Sequence, residues 1–389
     1  MYKVKIHSAL EEVSRDAWNA LITHPNASPF IQYDYLLAME KSGSASKKTG
    51  WTPCHFSVWD QEQKLVAAMP MYLKYHSYGE YVFDWAWANA YKEHGLSYYP
   101  KLLSAIPFTP VGGMRIIGSD TTAFNLLLQA VKEFAKTNSI SSVHVLFPPD
   151  ADEKLFLEQG FLRRESVQFH WQNVSLERPG QLLDSFDEFL YTLNKKRRNN
   201  IIRERASILD SGIYFEHVPG QNMSSEDWEF FYECYSSNYF NHGNAPYLSK
   251  DFFLQIGQSI PLNIHLIFAN LGGNRIAASL LFRNRIEGNE TVYGRYWGAI
   301  EHVKNLHFET AYYQSIEFCI KEHASVFEGG AQGEHKIHRG LTPVNLYSMH
   351  YLFDPRFYDA VQNFLEREGM SMYQYINELS EHNPVKQNL

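Results

Sequence analysis

Residues 264–283 read IHLIFANLGGNRIAASLLFR, two apolar, β-favouring runs that meet at Gly272 and Gly273. Such runs on either side of a glycine pair are the signature of an antiparallel hairpin. The stretch TVYGRYWGA at 291–299 continues as a further strand, apolar residues recur at helical spacing over 307–323, and SVFEG at 325–329 returns to strand character. A hairpin followed by strand, helix and strand places the helix between neighbours of one sheet, so the class is mixed α/β.

Upstream, Ser185 and Glu188 form an S-x-x-E capping box that opens a helix expected to run to about residue 210, with Gly212 as its stop. A strand at 213–218 and helices from 225 towards 237 and over 251–259 lead to the hairpin. The first half runs in a similar order. It has an alternating strand at 2–6, helical patterns over 14–23 and 33–42, and a hairpin of CHFSVWD and KLVAAMPMYLKYH about the polar QEQ. Strands are then expected at 81–88 and 114–117, a helix over 121–137, the buried strand SSVHVLFPP, a short helix DEKLFLEQ, and two strands within 161–176. Late helices are expected over 357–368 and 372–379. Two domains of one pattern follow, 1–179 and 180–389, divided at Pro179, with no sequence repeat between them.

A chain of 389 residues exceeds the usual limit of one hydrophobic core, in agreement with two domains. The net charge of -8 argues against wholesale nucleic-acid binding but leaves room for a local basic patch. Cys54, Cys234 and Cys319 are odd in number and far apart, which suggests reduced thiols in a cytoplasmic protein. The start of the chain lacks a signal-peptide core, and no run approaches the ~20 apolar residues of a membrane span.

One segment carries most of the chemistry. Residues 327–348, FEGGAQGEHKIHRGLTPVNLYS, hold four glycines with Glu328, Glu334, His335, Lys336, His338 and Arg339. Glycine allows close backbone approach to a ligand, and the charged groups suit proton transfer and anion binding; a solvated glycine-rich loop is the plain alternative. No GxSxG, HExxH, Walker or dinucleotide fingerprint occurs. Glu334, His335 and His338 are close enough to hold a cation, but no metal is expected.

The hairpin–strand–helix–strand order resembles the GNAT acyltransferase domain. In that fold the strand before the central helix splays from its neighbour and presents backbone N–H groups to a thioester, while the helix start binds pyrophosphate. The resemblance makes Asn305, His307, Gly330 and Gly333 the candidate cofactor contacts, although IEHVKNLHF at 300–308 lacks the glycine-rich pyrophosphate loop. Two such domains in tandem, with a long basic helix opening the second, resemble the FemAB peptidyltransferases. SPFIQYDYLLAMEKSGSASKKTGW, KYHSYGEYVFDWAWANAY, NKKRRNNIIRER, NAPYLSKDFF, LHFETAYYQSIEF and FEGGAQGEHKIHRGLTPVNLYSMH are similar to the bacterial FemAB-like N-acyltransferases over nearly the whole chain. The resemblance implies two tandem GNAT-like domains and transfer of an acyl or aminoacyl group to a small-molecule or peptide amine. The donor would be acyl-CoA, aminoacyl-tRNA or an acyl carrier protein, with no tightly bound cofactor. A non-catalytic protein that keeps the duplicated ligand cleft is the alternative.

Within that frame Glu334 and His335 are the candidate bases, His335 first because its ordinary pKa lies near neutrality. Tyr296 is the candidate acid for the leaving group, the backbone near Trp297 the oxyanion site, and Lys336 and Arg339 the anion contacts. Arg197 falls between Leu193 and Ile201 on the apolar face of its helix and must find a partner or an anion. Lys195, Lys196, Arg198 and Arg203 point outward, towards tRNA phosphates or simply solvent. In the first domain Lys74, Glu80 and Asp84 lie among Tyr72, Tyr75, Tyr78, Tyr81, Trp85 and Trp87. Rings with carboxylates suit a cationic acceptor, and a structural salt bridge to Lys74 or Lys101 suits them equally.

Overall fold

In each half of the protein a helix carries the chain from one strand to a parallel neighbour. The computed structural model describes residues 2–23, 27–286, 288–331, 333–381 and 384–385. The chain forms two compact units, Met1–Ser166 with Asn345–Tyr375, and Val167–Val344 with Ile376–Leu389. Relative to a cut after residue 179, residues 167–179 and 345–375 change sides. The later segment belongs to the first unit because Ser348 to Leu352 ladder antiparallel onto Leu146 to Ser142.

In the first unit, Lys3–His7, His55–Trp59, Leu65–Met69 and Ile117–Gly118 make a small antiparallel sheet. A second sheet orders Trp51–Pro53, Tyr72–Lys74, Lys101–Ser104 and Ser142–Leu146, the last two parallel. The helix Thr121–Thr137 joins those two and has the bounds its periodicity predicts, capped by Asp120 through the N–H groups of Thr122 and Ala123. Its Leu127, Leu128 and Val131 pack with Phe56, Val143 and Met349 in a solvent-free core. The run 64–76 is split at Pro70, so Leu65–Met69 and Tyr72–Lys74 enter different sheets.

In the second unit the sheet orders Tyr214–Pro219, Ile264–Leu271, Asn274–Arg283, Thr291–Ala299, Val326–Ala331 and the end of Leu162–Gln172. Among the described residues of this sheet only Thr291–Ala299 and Val326–Ala331 run parallel, and the helix between them is Leu306–Phe308, a π-turn Glu309–Tyr313 and Gln314–Lys321. The mixed α/β class therefore holds, with one parallel crossover in each unit.

Four local expectations change. Residues 85–93 form a helix, Trp85–Glu93, where a strand was expected over 81–88; Trp87 and Tyr91 are one turn apart and both buried, a helical rather than an alternating pattern. The long helix over 185–210 is interrupted. Leu193 is extended, and Asn194 caps a new helix, Lys195–Asp210, by accepting from the Arg197 N–H at 3.0 Å. The two strands expected in 161–176 are one, Leu162–Gln172, and the two late helices are one, Pro355–Glu381. Among the described residues no helix is long and apolar enough to cross a membrane.

Candidate functional site

The parallel ladder of the second unit lasts for three residue pairs and ends at Tyr293↔Glu328. Past that rung Thr291–Ala299 runs on beside Asn274–Arg283, whereas Val326–Ala331 stays with Leu162–Gln172, which it pairs from Val326 onward, placing Ala331 opposite Gln168. A wedge thus opens between the two parallel strands. Arg295 is the extra residue of a bulge, since Leu280 faces Tyr296 and Leu281 faces Gly294, and bulges re-aim side chains. Its guanidinium donates to the Glu328 carboxylate across the wedge and to the Gly294 carbonyl at 3.1 Å. Both side chains are only 4% exposed, so the pair is desolvated and each member depends on the other.

The glycine run beyond the wedge is neither plain loop nor plain strand. Val326–Ala331 is followed by a 3-10 turn, Glu334–Arg339, and then the strand Thr342–Leu352. Gly330 and Gly333 have φ of +79° and +97°, and a Cβ on Gly333 would lie 2.6 Å from the His335 ring, so the turn closes only with glycine there. Lys336 folds back, its buried ammonium donating to the carbonyls of Gly330 at 3.2 Å and Ala331 at 3.0 Å. Burial, helped by Arg295, lowers its pKa to about 7.

Arg339 is also buried. It lies against the Phe308 ring at 3.3 Å and donates to the His335 carbonyl at 2.8 Å and to Glu204 at 3.3 Å. Arg197 is partly buried and reaches His338 Nε2 at 3.2 Å, which therefore accepts. The break at Leu193 thus aims the basic helix at the glycine run. An apolar pocket between Trp171, Leu183, Phe189, Gly340 and Val385 sits beneath that break.

His335 itself is exposed on one side and ringed on the other by Phe308, Tyr312 and His307, with ring centroids 5.9, 5.9 and 6.3 Å away. Its Nε2 is 3.3 Å from the Tyr312 hydroxyl. Partial burial and the cations Arg339 and Lys336 lower its pKa, so the imidazole is neutral near pH 7. Burial has the opposite effect on the Tyr312 phenol, pushing it up to about 12. His307 packs tilted against Trp297 at 4.9 Å, and burial pulls its pKa down to about 3. Asn305 begins the helix with φ of +68° and donates to Ser207 at 3.1 Å. Glu334 is exposed at the start of the turn.

Tyr296 is placed elsewhere. Its ring packs on Tyr235 and Phe253 at 5.4 and 5.5 Å, on the face where the helix Ser225–Asn241 comes so near that a Cβ on Gly298 would meet the Cys234 carbonyl at 1.8 Å. Residues 296 and 298 share that face and Trp297 takes the other, so Tyr296 does not meet His335. The hydroxyl beside His335 is that of Tyr312, which the sequence reading did not single out. Its spacing from His307 and Phe308, five and four residues in one helix, was the available signal. Arg295 and Glu328 as a pair had no local signal.

In the first unit the structure joins Lys74, Glu80 and Asp84 around Lys101. The Lys101 ammonium donates to Glu80 at 2.7 Å, to Ser77 at 2.8 Å and to Asp84, while Lys74 stands 3.9 Å from Glu80 and 3.8 Å over the Trp51 ring. Burial pushes both Asp84 and Lys101 towards neutrality, and their mutual attraction overrides it, leaving Asp84 low and Lys101 high as a true ion pair. Burial wins for the outer two, raising Glu80 and lowering Lys74. The salt-bridge reading of these residues is the one that forms. Among the described residues no three metal-ligating side chains gather.

The chain carries two mixed α/β units, each with a helix joining parallel strands, and has a tandem GNAT-type fold. The profile of the FemAB-like family, described as peptidoglycan biosynthesis/recognition, matches residues 9–387, and the chain belongs to that family. Membership places it among acyl- and aminoacyl-transferases. Among solved structures, FemX superposes with a TM-score of 0.54 at 12% identity, covering 92% of this chain and 100% of that one. The C-terminal DUF2156 domain of a protein assigned as a lysylphosphatidylglycerol synthetase from Agrobacterium fabrum gives 0.52 at 8% identity, covering 90% and 95%. At such identities these likenesses concern the fold. No curated protein sequence matches significantly.

Proposed function

We propose that the second unit transfers an aminoacyl group from aminoacyl-tRNA to the amine of a cell-wall peptide, with His335 as base and Tyr312 as acid. The supporting observation is one contact, 3.3 Å between two groups whose surroundings drive their pKa values apart. A neutral imidazole beside a phenol that keeps its proton is an acid and base pair at pH 7. The imidazole takes the proton that the attacking amine sheds as the C–N bond forms. The phenol supplies one to the departing ester oxygen, and the relay between them restores both.

Deprotonating a lysine-like amine at pH 7 costs about 4 to 5 kcal/mol and an α-amine about 1, so a base matters most for the former. The family's place in peptidoglycan biosynthesis favours a peptide amine as acceptor. An ester donor is favoured over a thioester because Arg295 and Glu328 bridge the wedge that a thioester arm would enter, and because Lys195 and Lys196 stand exposed on the helix whose Arg197 touches the site. Mass spectrometry of reactions with charged tRNA, acyl-CoA or acyl carrier protein tests the donor. The rate should follow the His335 pKa, falling with acid only below pH 6.5, and Tyr312→Phe should lower it about 10² to 10⁴-fold. Product from acyl-CoA alone, or a rate indifferent to Tyr312, would overturn the assignment.

A further inference from the structure

Two imidazoles meet at the outermost strand of the second unit's sheet, on groups the transfer reading does not use. His217 lies on Tyr214–Pro219 and His265 on Ile264–Leu271, two residues from Ile267, the partner of His217, so both side chains project from one face. His217 Nδ1 stands 3.1 Å from His265 Nε2. The helix Gln314–Lys321 packs over them, its Phe318 ring stacked on His265 at 4.0 Å and on His217 at 6.1 Å. His265 is buried, whereas His217 keeps an exposed edge.

The partners settle where the protons are. The Gln314 amide nitrogen donates to Glu309 at 2.8 Å, so its oxygen faces the other way and accepts from His217 Nε2 at 3.0 Å. Nε2 therefore carries the His217 proton, and Nδ1 offers a lone pair. That lone pair faces His265 Nε2, which donates to it in one neutral tautomer and offers a second lone pair in the other. Burial holds the His265 pKa down to about 3 and lowers that of His217 as well, so neither nitrogen must shed an extra proton at pH 7.

We propose that His217 Nδ1 and His265 Nε2 bind one divalent ion of the zinc, nickel or copper class, the His265 proton passing to its Nδ1. With nitrogens 3.1 Å apart and bonds of about 2.0 to 2.1 Å, the angle at the metal is about 100°, between the octahedral and tetrahedral values. A rotation of the exposed His217 ring aims both lone pairs there. Gln314, itself held by Glu309, is the outer-shell acceptor that orients a ligating histidine. The carboxylates around the pair are committed to arginines: Glu290 and Glu322 to Arg283 at 2.9 and 3.0 Å, Glu309 and Glu317 to Arg205 at 3.1 and 2.7 Å. The donors on offer are thus nitrogens, which select borderline ions over hard magnesium or calcium. A recess of about 160 Å³ beside His265, lined also by Gln221, Arg283 and Glu322, leaves room for the waters that complete the shell. Two protein ligands with the positive charges of Arg283 and Lys321 near His265 make the site one of moderate affinity.

The probe is zinc chloride, titrated by calorimetry into the full chain after chelator treatment, with magnesium chloride as the comparison. One zinc per chain is expected with a Kd of about 1 to 100 µM, and a melting temperature that rises with zinc. His217→Ala and His265→Gln should each weaken binding at least about tenfold, and Gln314→Leu about tenfold, since it removes only the outer shell. His217 is exposed and Gln can keep the hydrogen bond of His265, so the variants remain folded. No zinc bound at about 1 mM overturns the proposal, as does magnesium bound equally well. Zinc bound undiminished by both histidine variants also overturns it, placing the ion on other histidines such as His335. Zinc held at this pair by a chain that transfers no acyl group would leave the proposal standing and sink only the transfer reading.

Discussion

Lys101 in the first unit and Lys336 in the second are both buried lysines, and their fates differ. Lys101 touches two carboxylates and is held charged, its pKa above the ordinary lysine value. Lys336 touches two carbonyls, faces Arg295, and is pulled down to about 7. A buried ammonium matched by carboxylates is scaffold, since its charge is cancelled where it sits. One matched only by dipoles is poised between two protonation states, which is characteristic of sites where chemistry is done. The same contrast holds for the surroundings. The first cluster is sealed under a ring-covered surface, whereas the second borders a wedge and a half-exposed imidazole.

The contrast breaks most visibly if Lys101 is removed. Lys101→Met leaves Asp84 without its cation and Glu80 with only the more distant Lys74 at 3.9 Å, and stability should fall by about 3 to 5 kcal/mol in urea titrations. A loss under about 1 kcal/mol would mean that the cluster is not held together by that charge.

A smaller effect sharpens the other side. The folded pKa of Lys336 lies below its unfolded value of 10.5, so between about pH 7 and 10.5 the unfolded chain binds the extra proton. Stability contributed by this residue therefore rises with pH across that window and is lost as pH falls towards 7. Compared with Lys336→Met, the wild type should gain up to about 1.4 kcal/mol per pH unit there, read from melts at several pH values. A difference that is flat with pH would show that Lys336 stays charged.

Much of this architecture was legible beforehand. The hairpin at 264–283 carried its own turn chemistry, and the helix Thr121–Thr137 its own period and an aspartate at its start. What escaped depends on partners distant in sequence or on competing local signals. The run WAWANAY looks β-prone by its aromatics, but Trp87 and Tyr91 bury together only as a helix, against Phe357 and Tyr98. Asn194 falls inside the stretch expected to be one helix, and it restarts the helix instead.

At the site, the turn holding His335, Lys336 and Arg339 stood out by composition. Arg295 and Glu328 are thirty-three residues apart and meet only because one bulge and one short parallel ladder bring them together. Tyr296 lay on the expected strand, yet alternation sends it to the packed face and Trp297 to the open one.

The central claim is that His335 does the proton transfer in acyl or aminoacyl transfer. The direct measurement is turnover of charged tRNA with a peptide amine by the wild type and by His335→Ala, alongside donor affinity and melting temperature for both. The account predicts a rate about 10² to 10⁴-fold lower in the variant, with affinity and melting temperature preserved. A variant that turns over at the wild-type rate would contradict it.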